Sequence, residues 1–157
     1  MRFFIFIFLP LSISLGKSYG QHSHADSLKE ELSEHPQEDT IRVALLIQLA
    51  TDETYDHPLL AGNYAFEAST ISEKINFPKG VALAYRLLGN SFWSQANQSA
   101  ALDHFLRALK IADSIHNPQI QADLMGNLGM VYNDMGDYEK ALSYYRASLA
   151  KQIELKN

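Results

Sequence analysis

Histidine is the side chain best suited to acid-base chemistry near neutral pH, and this 157-residue chain has six of them. Three are candidates by position: His57 in a predicted turn, His104 on the predicted surface of a helix, and His116 at a helix end. Asp103 directly precedes His104, so the two side chains leave a helix in different directions. No serine, aspartate and histidine are spaced to form a triad, and no glycine-rich phosphate loop is present. The sequence therefore predicts that the protein is not an enzyme.

A second candidate site lies near the N-terminus, where His22, His24 and Asp26 offer imidazole nitrogen and carboxylate oxygen to a metal ion. No distant pair of ligands completes a coordination shell, so we interpret this segment as a solvated tail. The chain has no cysteine, which excludes disulfides, thiolate metal sites and a cysteine nucleophile. We predict no metal site and no other cofactor.

Composition limits the partners. The formal net charge is -5, and 46% of the residues are hydrophobic, enough for one folded unit with a core. If a leader containing Arg2 and Lys17 is removed, 11 of the 13 basic residues remain against 18 acidic ones, a net charge of -7. A surface of this charge repels nucleic acid and anionic membranes, so we predict a protein or peptide partner.

The N-terminus has the pattern of a secretory signal peptide, which we assign to residues 1–20. One basic residue precedes the apolar residues 3–15, a stretch shorter than the about 20 residues that a transmembrane helix needs. Ser18 and Gly20 are small residues at the positions expected before a cleavage site, which would leave Gln21 as the new terminus. The sequence thus predicts export to the periplasm or the extracellular space, with an uncleaved membrane anchor as the alternative. Within residues 21–38, an acidic linker, Leu28 and Leu32 indicate a short capping helix.

An internal repeat with a period of about 40 residues organises the rest of the chain. Leu88, Gly89, Phe92, Ala101, Phe105 and Ala108 recur as Leu128, Gly129, Tyr132, Ala141, Tyr145 and Ser148. Their spacing predicts two amphipathic helices in each repeat. Pro78 and Pro118 are separated by one period and suit the first turn of a helix. Asn97, Asn117 and Asp137 are good N-cap residues, and Gly136 can adopt the positive φ that ends a helix.

These residues resemble the tetratricopeptide repeat family, and residues 127–142 are close to its consensus. The chain departs from the family in its period, which is longer than the usual about 34 residues and which longer helices would explain. Glu53 stands where the first repeat should have an aromatic residue. Ser148 replaces the last alanine, and we expect its hydroxyl to bond a carbonyl one turn back in its own helix.

The resemblance implies an all-α fold, a right-handed α-solenoid of antiparallel helix pairs with about three repeats. We assign a degenerate first repeat to residues 39–77, a second to residues 78–117 and a third to residues 118–157. In the family, the first helix of each pair lines a concave groove. The predicted groove residues are Arg86, Asn90, Trp93, Ser94, Asn127, Met130, Asn133 and Asp134.

Three interpretations of the groove remain open: a general peptide or protein site, a solvated face, and a carboxylate clamp. The resemblance implies that a clamp would use Arg86, Asn90 and Asn127, although the two further basic residues of such a clamp are missing. Trp93 could contact a ligand or pack against the neighbouring repeat.

The last predicted helix carries an apolar stripe with no following helix to cover it. The stripe consists of Leu142, Tyr145, Leu149 and Ile153. We expect that the chain is a fragment of a longer protein; self-association through this helix and cover by a partner are the alternatives. The leading functional hypothesis is an exported, non-catalytic scaffold that binds protein. The alternative is the extracytoplasmic sensor region of a bacterial signalling receptor, such as a histidine kinase, and sequencing the DNA beyond the codon for Asn157 would distinguish them.

Overall fold

The computed structural model describes residues 24–156. The predicted signal peptide, His22 and Asn157 lie outside the described residues. Within residues 24–156 all regular secondary structure is helical, which confirms the predicted fold class. The helices are α1 (His24–Glu34), α2 (Thr40–Asp52), α3 (Pro58–Lys74), α4 (Pro78–Ser94), α5 (Gln98–Ser114), α6 (Pro118–Asp134) and α7 (Tyr138–Lys156). None of these helices is long and apolar enough to span a bilayer.

Helices α2 to α7 form three stacked pairs, α2 with α3, α4 with α5, and α6 with α7. Helices α3 and α4 join the first pair to the second, and α5 and α6 join the second to the third. The first helices of successive pairs also contact one another, α2 with α4 and α4 with α6, whereas α3, α5 and α7 do not. The stack therefore curves around its first helices, and we call the surface formed by α2, α4 and α6 the concave face.

The helices from α3 onward begin at regular intervals along the chain, at Pro58, Pro78, Gln98, Pro118 and Tyr138. Helices α3 to α6 have 17 residues each, and a short connection completes each half of the period. Longer helices therefore do account for the long period. The middle residue of each connection has a positive φ: Asn76, Ala96, His116 and Gly136. Gly136, the predicted one, has a φ of 80°.

Asparagine and aspartate caps begin the helices as predicted. The side-chain oxygen of Asn97 accepts a hydrogen bond from the Ala100 amide at 3.2 Å, and that of Asn117 accepts one from Ile120 at 3.0 Å. Asp137 accepts from the Lys140 amide at 3.2 Å in the same way. These caps satisfy amides that have no partner within the helix, and Pro78 and Pro118 begin α4 and α6.

Glycine and an aromatic ring meet inside the second and third helix pairs. A Cβ atom added to Gly89 would lie 2.4 Å from Cε1 of Phe105, and one added to Gly129 would lie 2.6 Å from Cε1 of Tyr145. Both glycines therefore allow the first helix of the pair to approach the ring on the second helix closely. Ser148 differs from the expectation, because its hydroxyl donates to the carbonyl of Ala122 on α6 at 2.7 Å and not to its own helix. This bond ties α7 to α6, since position 148 faces the neighbouring helix and is buried.

Glu53 takes part in an ionic contact at the place where the first pair lacks its aromatic residue. Its carboxylate accepts from Lys29 Nζ of α1 at 3.0 Å and lies 2.6 Å from Nδ1 of His57. The hydrogen bond from Lys29, followed by that from His57, holds the pKa of Glu53 below its usual value. Because Leu28 of α1 also packs against Leu49 of α2, helix α1 covers the outer side of the first pair.

Helix α6 covers one side of α5, and the side chains at the equivalent repeat positions of α7 are exposed. Tyr145 is 40% exposed, whereas Phe105, its counterpart in the preceding repeat, is 1% exposed. Leu142, Leu149 and Ile153 of α7 are exposed as well. Self-association through this helix stays a prediction.

Candidate functional site

Two of the predicted groove residues contact each other on the concave face. The side-chain nitrogen of Asn127 on α6 donates to Oδ1 of Asn90 on α4 at 3.0 Å. Both side chains are only partly buried. Within residues 24–156, this bond leaves the NH₂ group of Asn90 and the oxygen of Asn127 available, so the pair offers both donors and an acceptor.

Arg86 lies one turn before Asn90 on α4 and is partly buried. Its Nε is buried and has no hydrogen-bond partner among the described residues. A buried N–H group without an acceptor is costly. Asn90 and Asn127 are in contact, and Arg86 lies one turn away on α4, so the three side chains offer several donors to a carbonyl or carboxylate oxygen.

A second contact joins α4 and α6 at their C-terminal ends. The indole Nε1 of Trp93 donates to Oδ2 of Asp134 at 2.7 Å. Trp93 also packs against the apolar cluster that contains Leu124, Leu128 and Val131 of α6. Trp93 thus contacts the neighbouring repeat through its hydrogen bond to Asp134, while part of its side chain remains accessible.

Around this contact lies a shallow pocket of about 430 Å³, which we call the rim pocket. It is lined by Tyr55, Trp93, Ser94, Ala96, Gln98 and Asp134. Three of these were predicted groove residues; Tyr55, Ala96 and Gln98 were not. Tyr55 belongs to the connection between α2 and α3, where the first repeat departs from the pattern. An aromatic residue in this irregular connection was the signal by which the sequence could have indicated that Tyr55 lines the pocket.

Met130 and Asn133 complete the predicted set. Met130 lies one turn after Asn127 and is partly buried, and Asn133 is exposed. Asn133 occupies the repeat position on α6 that Trp93 occupies on α4. Trp93 contacts α6, which is the first helix of the following pair. Within the described residues no further pair follows α6, so Asn133 has no such helix to contact and is exposed.

His104 is only partly exposed, which corrects the expectation that it lies on the helix surface. Its ring stacks on Phe92 with centroids 5.1 Å apart and on Tyr85 at 5.8 Å. Burial lowers its pKa, more than the opposing charge of Asp103 raises it, so the ring is a neutral aromatic partner at pH 7. In the next repeat Tyr132 stacks on Tyr144 at 5.5 Å. The recurrence of a flat ring at this position was the signal that sequence reasoning missed.

The remaining chemical candidates are dispersed. His57 pairs with Glu53 beside α1, and His116 is exposed in the connection between α5 and α6. His24 lies 3.8 Å from Asp52. Within residues 24–156, no three histidine, aspartate or glutamate side chains are grouped as metal ligands.

Comparison with known proteins agrees with the repeat fold. Residues 121–155 match the sequence model of the tetratricopeptide repeat family. A search of curated protein sequences found no match. The structure is similar to aspartyl phosphate phosphatase F from Bacillus subtilis, with a TM-score of 0.74 and 19% sequence identity over 82% of this chain and 35% of that one.

Two further solved structures are similar. The TPR domain of Arabidopsis FLU has a TM-score of 0.65 and 20% identity over 81% of this chain and 98% of that domain. BtubC (BKLC) from P. vanneervenii has a TM-score of 0.72 and 22% identity over 85% of this chain and 57% of that one. Of the first of these structures, aspartyl phosphate phosphatase F, the chain spans only about a third of the length. Together these similarities support the tetratricopeptide repeat family and show an α-solenoid fold.

Proposed function

We propose that this protein is a non-catalytic scaffold that binds a protein or an extended peptide along its concave face. The fold and the match of residues 121–155 to a repeat family support the proposal. The observation that carries it is the row formed by Arg86, Asn90 and Asn127, in which a partly buried guanidinium lies beside two amides with free polar atoms. A peptide carbonyl or carboxylate oxygen would accept hydrogen bonds from the Asn90 amide and from the Nη atoms of Arg86, since the Nε is buried.

Peptide selection tests this proposal. Random linear peptides displayed on phage are selected on the purified chain, and an enriched peptide is titrated calorimetrically against Arg86→Gln and Asn90→Ala. We expect each variant to bind about tenfold more weakly, because each loses a hydrogen bond to the ligand. Arg107→Gln is the matched control, since Arg107 is exposed on α5 and pairs with Asp103 away from the concave face.

The proposal fails if no peptide is enriched, or if both groove variants bind as tightly as Arg107→Gln does. A carboxylate clamp is a narrower form of the proposal. It requires that replacing the peptide's free C-terminal carboxylate with an amide weakens binding to the unmodified chain and leaves binding to Arg86→Gln almost unchanged.

We also propose that the protein is exported to the periplasm or the extracellular space. The pattern of residues 1–20 supports this proposal. Mass spectrometry of the protein from the extracytoplasmic fraction should show a mature chain that begins at Gln21. A chain that keeps the whole leader and stays with the membrane would instead support the uncleaved anchor.

A further inference from the structure

The rim pocket has the chemistry of a cation site. Its lining includes the rings of Tyr55 and Trp93 and the carboxylate of Asp134, and it contains no basic side chain. Aromatic faces attract ammonium and guanidinium groups through their quadrupole, and a carboxylate adds a direct charge partner. The acidic net charge of the chain acts in the same direction.

The Trp93–Asp134 hydrogen bond prepares this pocket for a ligand. It uses Oδ2 of Asp134 at 2.7 Å and holds the indole ring at the wall of the pocket. Within residues 24–156 the structure shows no ion pair to Asp134, which is exposed. A positive group that enters the pocket therefore meets a carboxylate whose charge is not yet neutralised.

The helix ends around the pocket contribute partial charges of both signs. Helix α4 ends at Ser94 and α6 ends at Asp134, so the negative ends of two helix dipoles point toward this region. The positive ends of α3, α5 and α7, which begin at Pro58, Gln98 and Tyr138, lie at the same end of the stack and oppose this effect. Tyr55 is 80% exposed, so packing within the described chain does not account for this large ring.

We propose that the rim pocket binds a basic side chain of the partner, arginine or lysine, against the rings of Tyr55 and Trp93 and the carboxylate of Asp134. This inference rests on the proposed function and specifies the partner's chemistry at one end of the concave face. The Arg86 row would hold oxygen atoms of the same partner, so the two sites would together set the direction of a bound peptide.

Trp93 is the only tryptophan of the chain, so its fluorescence reports on this pocket directly. The probe is the blocked peptide acetyl-Gly-Arg-Gly-amide, and its citrulline analogue is the uncharged control of almost the same shape. We expect a saturable change in Trp93 emission with the arginine peptide and about fivefold weaker binding of the citrulline peptide. Equal responses to both peptides, or no response to either, would overturn the inference.

Variants of the pocket residues test whether the arginine peptide binds in the rim pocket. Asp134→Asn keeps an acceptor for the Trp93 indole and removes the charge, so it should weaken binding of the arginine peptide about fivefold. Asp113→Asn makes the same charge change at an exposed position of α5 and should bind as the unmodified chain does. Tyr55→Leu is the second variant. Because Tyr55 is mostly exposed, the fold should survive this change while affinity falls about threefold.

The outcomes separate this inference from the proposed function. If a phage-selected peptide depends on Arg86 and Asn90 but binds Asp134→Asn and Tyr55→Leu as tightly as the unmodified chain, the groove function stands and the basic-residue site is refuted. If the arginine peptide binds the pocket but no selected peptide depends on the Arg86 row, the proposed function is refuted instead.

Discussion

Replacement of Phe105 with alanine is expected to lower the free energy of unfolding by about 3–5 kcal/mol. Phe105 is 1% exposed and is the largest fully buried side chain of the described residues. It belongs to the apolar cluster that joins α4, α5 and α6, with Ala82, Ala101 and Leu128 among its members. Loss of the ring leaves a cavity between helices that are fixed on all sides, so the structure cannot close around it.

Urea denaturation followed by circular dichroism measures this loss. Tyr145→Ala is the matched control, because Tyr145 holds the same repeat position on α7 but is 40% exposed. We expect the control to lose less than half as much stability, since its ring buries less apolar surface. Equal losses for the two variants would show that stacking of α6 on α5 does not stabilise the second helix pair.

Gly89→Ala is expected to lower the free energy of unfolding by about 1–3 kcal/mol through overpacking. The new Cβ would lie 2.4 Å from Cε1 and 2.5 Å from Cδ1 of Phe105. The ring of Phe105 is 1% exposed, so it cannot turn out into solvent. Helix propensity alone predicts the opposite sign, because alanine is favoured over glycine within a helix by about 1 kcal/mol.

Gly126→Ala is the matched control on α6. Its Cβ would have Ser148 Oγ as its nearest neighbour at 3.7 Å, an ordinary contact, so we expect unchanged or slightly higher stability. Gly129→Ala should fall between the two, because the ring of Tyr145 is partly exposed and can turn away from the added methyl group. If Gly89→Ala were as stable as Gly126→Ala, the close helix approach at Gly89 would be ruled out.

Most of the fold could be predicted from the sequence because the information is local and repeated. Helix starts depend on caps such as Asn97 and Asn117, and the end of α6 depends on the positive φ of Gly136. The close approach at Gly89 follows from a small residue opposite a large one at helical spacing. Positive φ at Asn76, Ala96 and His116 was not predicted, since these residue types do not require it.

The candidate site was predictable only in part. The spacing of Arg86 and Asn90 places them on one side of α4, and the repeat offset places Asn127 on the next first helix. The pairing of Trp93 with Asp134, and the position of Tyr55 beside them, depend on how three helix pairs are rotated and shifted against each other. No spacing within one helix encodes that rotation.

By itself the sequence determined the helices and their pairing, because amphipathic periodicity, caps and an internal repeat act within one or two helices. Only the tertiary structure decided that the His104 ring stacks on Phe92, that Ser148 bonds α6 and that Glu53 holds α1. Each of these depends on which side chains approach from a neighbouring helix, and the free energy of such contacts is set by distance and burial in the assembled stack.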